Sequence, residues 1–308
     1  MFPATTSTPQ KPKVAFLGPL GTYSHQAAYE CFGSSVDYVP QTTIADVQQS
    51  LSTDVPFGIV PQENSIYGSV VETYNLLRNP AVGEETFVRG VTLLAIQHCL
   101  IVRRGVRIDD IKHVLSHEQA LGQCRSFLAQ RLPHASLVPT DSTASAAEKL
   151  VSEGPIGLDP FKCAAICSSV VVTIFQGLEV LQNAIQDEEA NFTRFFILSY
   201  GLDEAVPPAR APASQHQALL RIYASPDAAI STKRLDVTEV VSTLNLSISR
   251  MDRRPSLKAS AFDDVYFLEV GSTHMDEVTA GSPWADQLQR ALNRVKHIGA
   301  EGSVIGFW

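Results

Sequence analysis

The chain has 308 residues, enough for about two domains of ordinary size. Its 44% hydrophobic and 18% charged residues describe a globular protein and exclude a collagen, a coiled coil or a wholly disordered chain. Lysine and arginine number 24 against 32 aspartates and glutamates, a net charge of −8, and no basic block offers a surface to nucleic acid. No apolar run approaches the ~18 residues that a membrane helix needs, so no membrane partner is expected.

Residues 1–12 are rich in Thr, Ser and Pro, lack an apolar segment, and are expected to form a disordered tail rather than a targeting signal. From residue 13 to 200, strand-like and helical stretches alternate. Residues 14–17 read as a short buried strand ending at Gly18, and a helix is predicted over 22–32. Residues 57–61 are strand-like, 70–77 carry apolar residues at helical spacing, and 91–102 are rich in strand formers. Leu121, Cys124, Phe127 and Leu128 predict one helix over 119–132. Ser142 is a candidate N-cap for a helix reaching Val151. Residues 164–167 and 192–198 read as strands. The alternation predicts an α/β fold with mostly parallel sheets. Pro207, Pro208 and Pro212 mark a linker over 201–215, since adjacent prolines forbid both helix and sheet pairing. Residues 216–308 then read βαββαβ, the order of a small ferredoxin-like α+β domain.

Five cysteines, Cys31, Cys99, Cys124, Cys163 and Cys167, make an odd number without a CxxC pair. That argues against a disulfide framework and for a reducing compartment, so a cytoplasmic location is expected. Cys163 and Cys167 are expected as buried thiols rather than ligands. His117-Glu118 begins like a zinc-protease motif, but position 121 is Leu, so no metal is expected.

Four polar stretches sit where a strand hands over to a helix. Gly18-Pro19-Leu20-Gly21-Thr22-Tyr23-Ser24 has two glycines for a tight turn, and a helix start offers free N–H groups to a carboxylate or phosphate; a plain turn is the alternative. Pro61-Gln62-Glu63-Asn64-Ser65, Ser116-His117-Glu118-Gln119 and Asp141-Ser142-Thr143-Ala144 repeat the pattern. One such stretch is simple helix capping; four in one domain indicate a shared cleft at the carboxyl ends of strands. A fifth stretch, Asn191-Phe192-Thr193-Arg194-Phe195, carries one cation in an apolar strand. Arg194 needs an anionic partner if buried, or snorkels at the strand end.

Together these stretches resemble the prephenate dehydratase family. The matching residues are Gly18-Pro19-x-Gly21-Thr22-Tyr23-Ser24, Pro61-x-Glu63-Asn64-Ser65-x-x-Gly68, Ser116-His117-x-Gln119-Ala120-Leu121-x-Gln123-Cys124, Ser142-Thr143-Ala144 and Thr193-Arg194-Phe195, in the family's order. The resemblance implies a catalytic domain over 13–200 with two lobes, like a type II periplasmic binding protein, and a cleft between them. It implies conversion of prephenate to phenylpyruvate, carbon dioxide and water without metal or organic cofactor. Residues 216–308 resemble an ACT regulatory domain. Asp252-Arg253-Arg254-Pro255 is similar to the family's Glu-Ser-Arg-Pro effector motif, with Asp252 and Arg253 in place of Glu and Ser. Those four residues are the expected effector site, phenylalanine the expected effector, and a homodimer or higher homo-oligomer the expected assembly.

The expected catalytic residues are Thr193, to which the resemblance points, with Glu63, Asn64 and Gln123. Thr193 helps the ring hydroxyl leave, and Glu63 competes as proton donor if burial raises its pKa. Thr22, Ser24, Ser65, Ser116, Ser142, Thr143 and Phe195 are expected around the substrate. Arg194 is expected on the pyruvyl carboxylate, leaving neutral donors for the carboxylate that departs, because an ion pair there would stabilise the ground state. Adjacent strand residues face opposite sides, so Thr193 and Arg194 share a pocket only at an irregular strand edge. Arogenate dehydratase and a non-catalytic small-molecule sensor are the competing readings.

Overall fold

Val14, Ala15 and Phe16 are fully buried in β1 (Lys13–Leu17), an interior strand of the first sheet, one place from its edge. The computed structural model describes residues 11–152, 157–202, 206, 217–225, 235–257, 263–272 and 284–308. The chain runs from β1 through α1 (Tyr23–Phe32) to β2 (Asp37–Gln41), then through α2 (Ile44–Gln49) to β3 (Phe57–Asn64). β1 pairs in parallel with both β2 and β3. A two-residue strand, β4 (Gly68–Ser69), folds back on β3 and leads into α3 (Val71–Leu76) and β5 (Thr86–Ala95).

The second lobe follows, with β6 (Cys99–Arg103), β7 (His113–Ser116), α4 (Glu118–Gln123), α5 (Arg125–Arg131), β8 (Ser136–Pro139), α6 (Thr143–Val151), β9 (Cys163–Cys167), α7 (Val171–Ile174) and β10 (Leu178–Gln182). Its strands lie in the order β10-β6-β9-β7-β8. The chain returns to the first lobe as β11 (Phe192–Tyr200), inserted antiparallel between β3 and β5. Residues 96–98 and 183–191 therefore cross between two lobes, each with its own sheet and core.

The C-terminal unit runs β12 (Gln217–Ala224), α8 (Val237–Leu244), β13 (Ser247–Pro255), β14 (Asp264–Gly271), α9 (Trp284–Lys296) and β15 (Ala300–Phe307). Its antiparallel order β13-β14-β12-β15 is ferredoxin-like, with Val240, Leu244, Leu288, Leu292 and Val295 closing one face of the sheet. A single bridge, Gly306 to Val88, continues this sheet into that of the first lobe. A side chain at Gly306 would collide with the Val88 backbone, so the close approach requires glycine.

Most predicted elements are present, but the sheets are mixed rather than mostly parallel, because β11 returns antiparallel between β3 and β5 and β6 pairs antiparallel with β9 and β10; the other departures have local causes. The run 91–102 is two strands, because 96–98 is where the chain changes lobes. The helix expected over 119–132 breaks at Cys124 (φ −118°, ψ 23°), whose fully buried side chain sits between α4 and α5. Ser142 caps α6 as expected, accepting from the Ser145 N–H at 3.0 Å. Cys163 and Cys167 lie on a strand, and all five cysteines are free and buried. Burial pushes the Cys31 thiol up to about 11. Residues 1–10 of the tail expected over 1–12, and positions 203–205 and 207–215 of the linker expected over 201–215, lie outside the described residues.

His25 of α1 stacks on Phe16 with ring centroids 4.9 Å apart, and its Nδ1 accepts from the Gly21 N–H at 3.2 Å. Burial lowers its pKa from 6.5 to about 4. The unfolded chain therefore takes up a proton that the folded chain refuses between these values, and the contribution to stability, full above about 6.5, is lost as the pH falls toward 4. Thermal melts are expected to show a Tm that drops across this window in wild type and less steeply in His25→Asn; equal slopes in the two would contradict the assignment.

Candidate active site

A cavity of about 380 Å³ lies between the lobes, within the range of small-molecule sites. Two helices of nine or more residues aim their amino ends at it. Thr22 caps α1: its hydroxyl accepts from the His25 N–H at 3.3 Å and donates to Leu17 O at 3.0 Å. Ser142 does the same service for α6. With the caps engaged on the third turn residue, the N–H groups of Tyr23, Ser24, Thr143 and Ala144 face forward without intrahelical acceptors. Gly21 permits the approach of the two lobes here. Its φ is +91°, and an added Cβ would lie 2.9 Å from Val171 Cγ1 and 3.4 Å from Ala144 Cβ. The lining contains no lysine or arginine, and Asp141, at the exposed rim, is its one carboxylate.

β3 and β11 supply the floor. Thr193 pairs with Asn64 and Arg194 with Glu63, after which the register slips so that Phe195 pairs with Pro61. The slip is a β-bulge on β3: Gln62 and Glu63 both turn away from the cavity, while Pro61, Asn64, Thr193 and Phe195 line it. Asn64 is locked by its turn. Its Oδ1 accepts from the N–H groups of Ile66 (2.9 Å) and Tyr67 (3.1 Å), which orients its Nδ2 to donate to Asn191 Oδ1 (2.7 Å) and Thr193 Oγ1 (2.9 Å). The Thr193 oxygen is thus an acceptor within the protein, and among the described residues nothing accepts its own proton.

One wall is a chain of polar groups joining the lobes. Gln123 of α4 donates from Nε2 to the Tyr67 hydroxyl at 3.0 Å, and its Oε1 lies 2.6 Å from His98 Nε2. With Gln123 in this orientation, His98 carries its proton on Nε2, and Nδ1 accepts from the Tyr23 hydroxyl at 2.5 Å. Burial lowers the His98 pKa, although its bond to Gln123 raises it in part, and burial pushes the Tyr23 phenol well up. The chain is therefore neutral in the ordinary pH range.

Of the residues expected in the cleft, Thr22, Ser24, Asn64, Gln123, Ser142, Thr143, Thr193 and Phe195 are on its lining. Four are elsewhere. Ser116 is fully buried and donates to Ile166 O at 2.5 Å, tying β7 to β9. Ser65 clasps the loop ends, donating to Ala190 O and accepting from the Phe192 N–H. Arg194 grips Glu269 of β14, with Nη2 to Oε2 at 2.8 Å and Nη1 to Oε1 at 3.4 Å. Glu63 forms an ion pair with Arg250 of β13. Strand alternation and the bulge put both charged side chains on the far face. The expectation that Arg194 holds a substrate carboxylate is corrected, and Glu63 is not placed to donate a proton into the cavity. Tyr23, Tyr67, His98 and Asn191 were not anticipated as site residues; the single histidine inside the apolar run 91–102 was the one available signal.

Residues 14–201 match the sequence profile of prephenate dehydratase. The chain belongs to the prephenate dehydratase family. The bifunctional chorismate mutase/prephenate dehydratase of Aquifex aeolicus is 30% identical over 294 residues, covering 95% of this chain and 72% of that protein. The corresponding protein of Neisseria gonorrhoeae is 30% identical over 283 residues, covering 92% and 70%. The fold is shared with the Arthrobacter aurescens prephenate dehydratase solved in complex with L-Phe, at TM-score 0.70 and 24% identity over 96% of this chain and 89% of that one. The chain is accordingly a hydro-lyase of aromatic amino acid biosynthesis, and the cavity is its candidate active site.

The back-face position of Arg194 has a measurable consequence for this dehydratase. A guanidinium bonded to a substrate carboxylate would lose about 10- to 100-fold in KM on truncation. Arg194→Gln is expected to change KM for prephenate less than about threefold when rates are normalised to folded enzyme, far below that range. A tenfold or larger rise in KM would return Arg194 to the cleft.

Proposed function

We propose that the cleft converts prephenate by holding a dianion on neutral groups while Thr193 donates to the departing hydroxyl. The observation that carries this reading is the Asn64–Thr193 bond: Asn64 fills an acceptor position of Oγ1, so the hydroxyl proton is directed elsewhere. The ring carboxylate leaves as carbon dioxide, and its C–C bonding pair moves into the ring. The ring C–O bond opposite breaks, and the oxygen takes one proton to leave as water. Phenylpyruvate remains with an aromatic ring, which supplies the driving force. A threonine hydroxyl is a weak acid, so Thr193 serves as hydrogen-bond donor and relay, recovering its proton from solvent.

The lining suits this chemistry in two ways. Helix amino ends and amide or hydroxyl donors attract carboxylates without forming an ion pair. A carboxylate held by a guanidinium would be favoured in the ground state over the carbon dioxide it must become. Gln123, oriented by His98, presents an amide to the same space. The relatives in the comparison are named for prephenate rather than arogenate, which supports the keto substrate.

The C-terminal unit is proposed as an ACT-like regulatory domain that responds to phenylalanine and joins two or more copies of a cytoplasmic enzyme. Its βαββαβ order and residues 252–255 support this, as does the L-Phe bound to the Arthrobacter relative. Phenylalanine must then favour one state of the cleft over another. The residues expected to meet it are engaged: Ser69 Oγ donates to Asp252, Arg253 pairs with Asp264 at 3.0 Å, and Arg254 Nε donates to Asn75 Oδ1 at 3.0 Å.

Purified enzyme incubated with prephenate is expected to release phenylpyruvate, whereas turnover of arogenate alone would reverse the substrate reading. Thr193→Ala is expected to lower kcat by about 10²–10⁴ with the fold intact by circular dichroism, as loss of a general acid does. Near-normal turnover would remove Thr193 from the chemistry. Millimolar phenylalanine is expected to change the wild-type rate; identical rates with and without it would leave the C-terminal unit no such role.

A further inference from the structure

The C-terminal unit meets the catalytic lobes at the back of the two strands that form the cavity floor. Glu269 of β14 is 5% exposed. It receives both Nη groups of Arg194, and Gln62 Nε2 also donates to it. Arg250 of β13 pairs with Glu63. Arg194 and Glu63 sit opposite one another across β11 and β3, each one residue from a cavity residue, Thr193 and Asn64. Gln62 is fully buried in the bulge itself and donates to the Tyr74 hydroxyl at 3.2 Å. The bulge decides which side chains turn to each face, and every polar group on its back is held by, or lies against, the C-terminal unit.

We propose that Glu269 and Arg250 are positioning residues for the catalytic floor. Acting through Arg194, Gln62 and Glu63, they hold the bulged ends of β3 and β11 in the register that aims Thr193 and Asn64 into the cavity. Glu269 carries the larger share. It is almost wholly buried and takes three donors from two strands, and neutralising it leaves the half-buried Arg194 guanidinium without its carboxylate partner. Other bonds between the same units reach different elements. Arg221 Nη1 donates to Leu77 O and Asn79 O at the end of α3, and Arg78 Nη1 donates to Pro255 O. These join the units without touching β3 or β11, and so provide an internal control. The reading rests on Thr193 acting in the cleft, and it makes the C-terminal unit part of the catalytic frame even with no effector bound.

The test compares full-length wild type, Glu269→Gln, Glu269→Asp and Arg78→Gln without phenylalanine. Kinetics with prephenate are read beside amide hydrogen exchange over 192–195. Glu269→Gln is expected to lower kcat about tenfold or more, the scale of a small misplacement of a reacting group, with KM nearly unchanged. It should also speed exchange over 192–195. Glu269→Asp, which keeps the charge, should recover most of the loss, and Arg78→Gln should match wild type in both readouts. A kcat for Glu269→Gln within twofold of wild type, unchanged exchange over 192–195, or an equal kcat loss in Arg78→Gln would each overturn the proposal. If Glu269→Gln fails to fold, Glu269→Asp and Arg250→Gln decide it by the same two readouts. A wild type inactive on prephenate would instead reject the role given to the cleft, and the exchange readout would still judge the positioning role.

Discussion

Successive side chains of a strand point to opposite faces, and this alternation sorts the chemistry of the protein. Along Asn64-Glu63 and Thr193-Arg194, neutral and charged residues alternate on two paired strands. The neutral pair faces the cavity and the charged pair faces the C-terminal unit. A bulge at Gln62 keeps Glu63 on the far face while returning Pro61 to the near one. Had the register run on without it, the second half of β3 would present the wrong face to the cleft.

The separation has an electrostatic logic. A dianionic substrate needs attraction, yet the reaction destroys one of its charges. In the proposed reading, fixed dipoles at the amino ends of α1 and α6, with amides from Asn64 and Gln123, provide attraction that costs little to give up when carbon dioxide forms. The full charges are placed where charge is permanent, between the catalytic strands and the C-terminal unit. Partly buried ion pairs of this kind add little net stability compared with apolar packing, but they penalise every arrangement that separates the partners. They therefore suit a frame whose geometry matters more than its stability.

Much of this was legible in the sequence, and the remainder was hidden for identifiable reasons. Strand-to-helix junctions announce themselves through glycine and capping residues, so Thr22, Ser142 and the loop at Gly21 could be placed without coordinates. The βαββαβ order read over 216–308 is the order of elements in the C-terminal unit. A change of lobe leaves no composition signal, and the run 91–102 therefore reads only as rich in strand formers, concealing the position of His98. Arg194 and Glu63 misled in a different way. Their adjacency to Thr193 and Asn64 suggested a shared site, while alternation alone argued for opposite faces. The partners that settle the matter, Glu269 and Arg250, lie about 75 and 190 residues away along the chain and belong to another unit, so no local pattern could join them.

In the proposed reading, a doubly charged substrate is bound without a cation. A crystal structure of the enzyme with an unreactive prephenate analogue tests it directly. Both carboxylates should lie within hydrogen-bond distance of N–H groups at the starts of α1 or α6 or of the Asn64 and Gln123 amides, with Arg194 still on Glu269. An Arg194 guanidinium turned into the cavity and bonded to either carboxylate would contradict it.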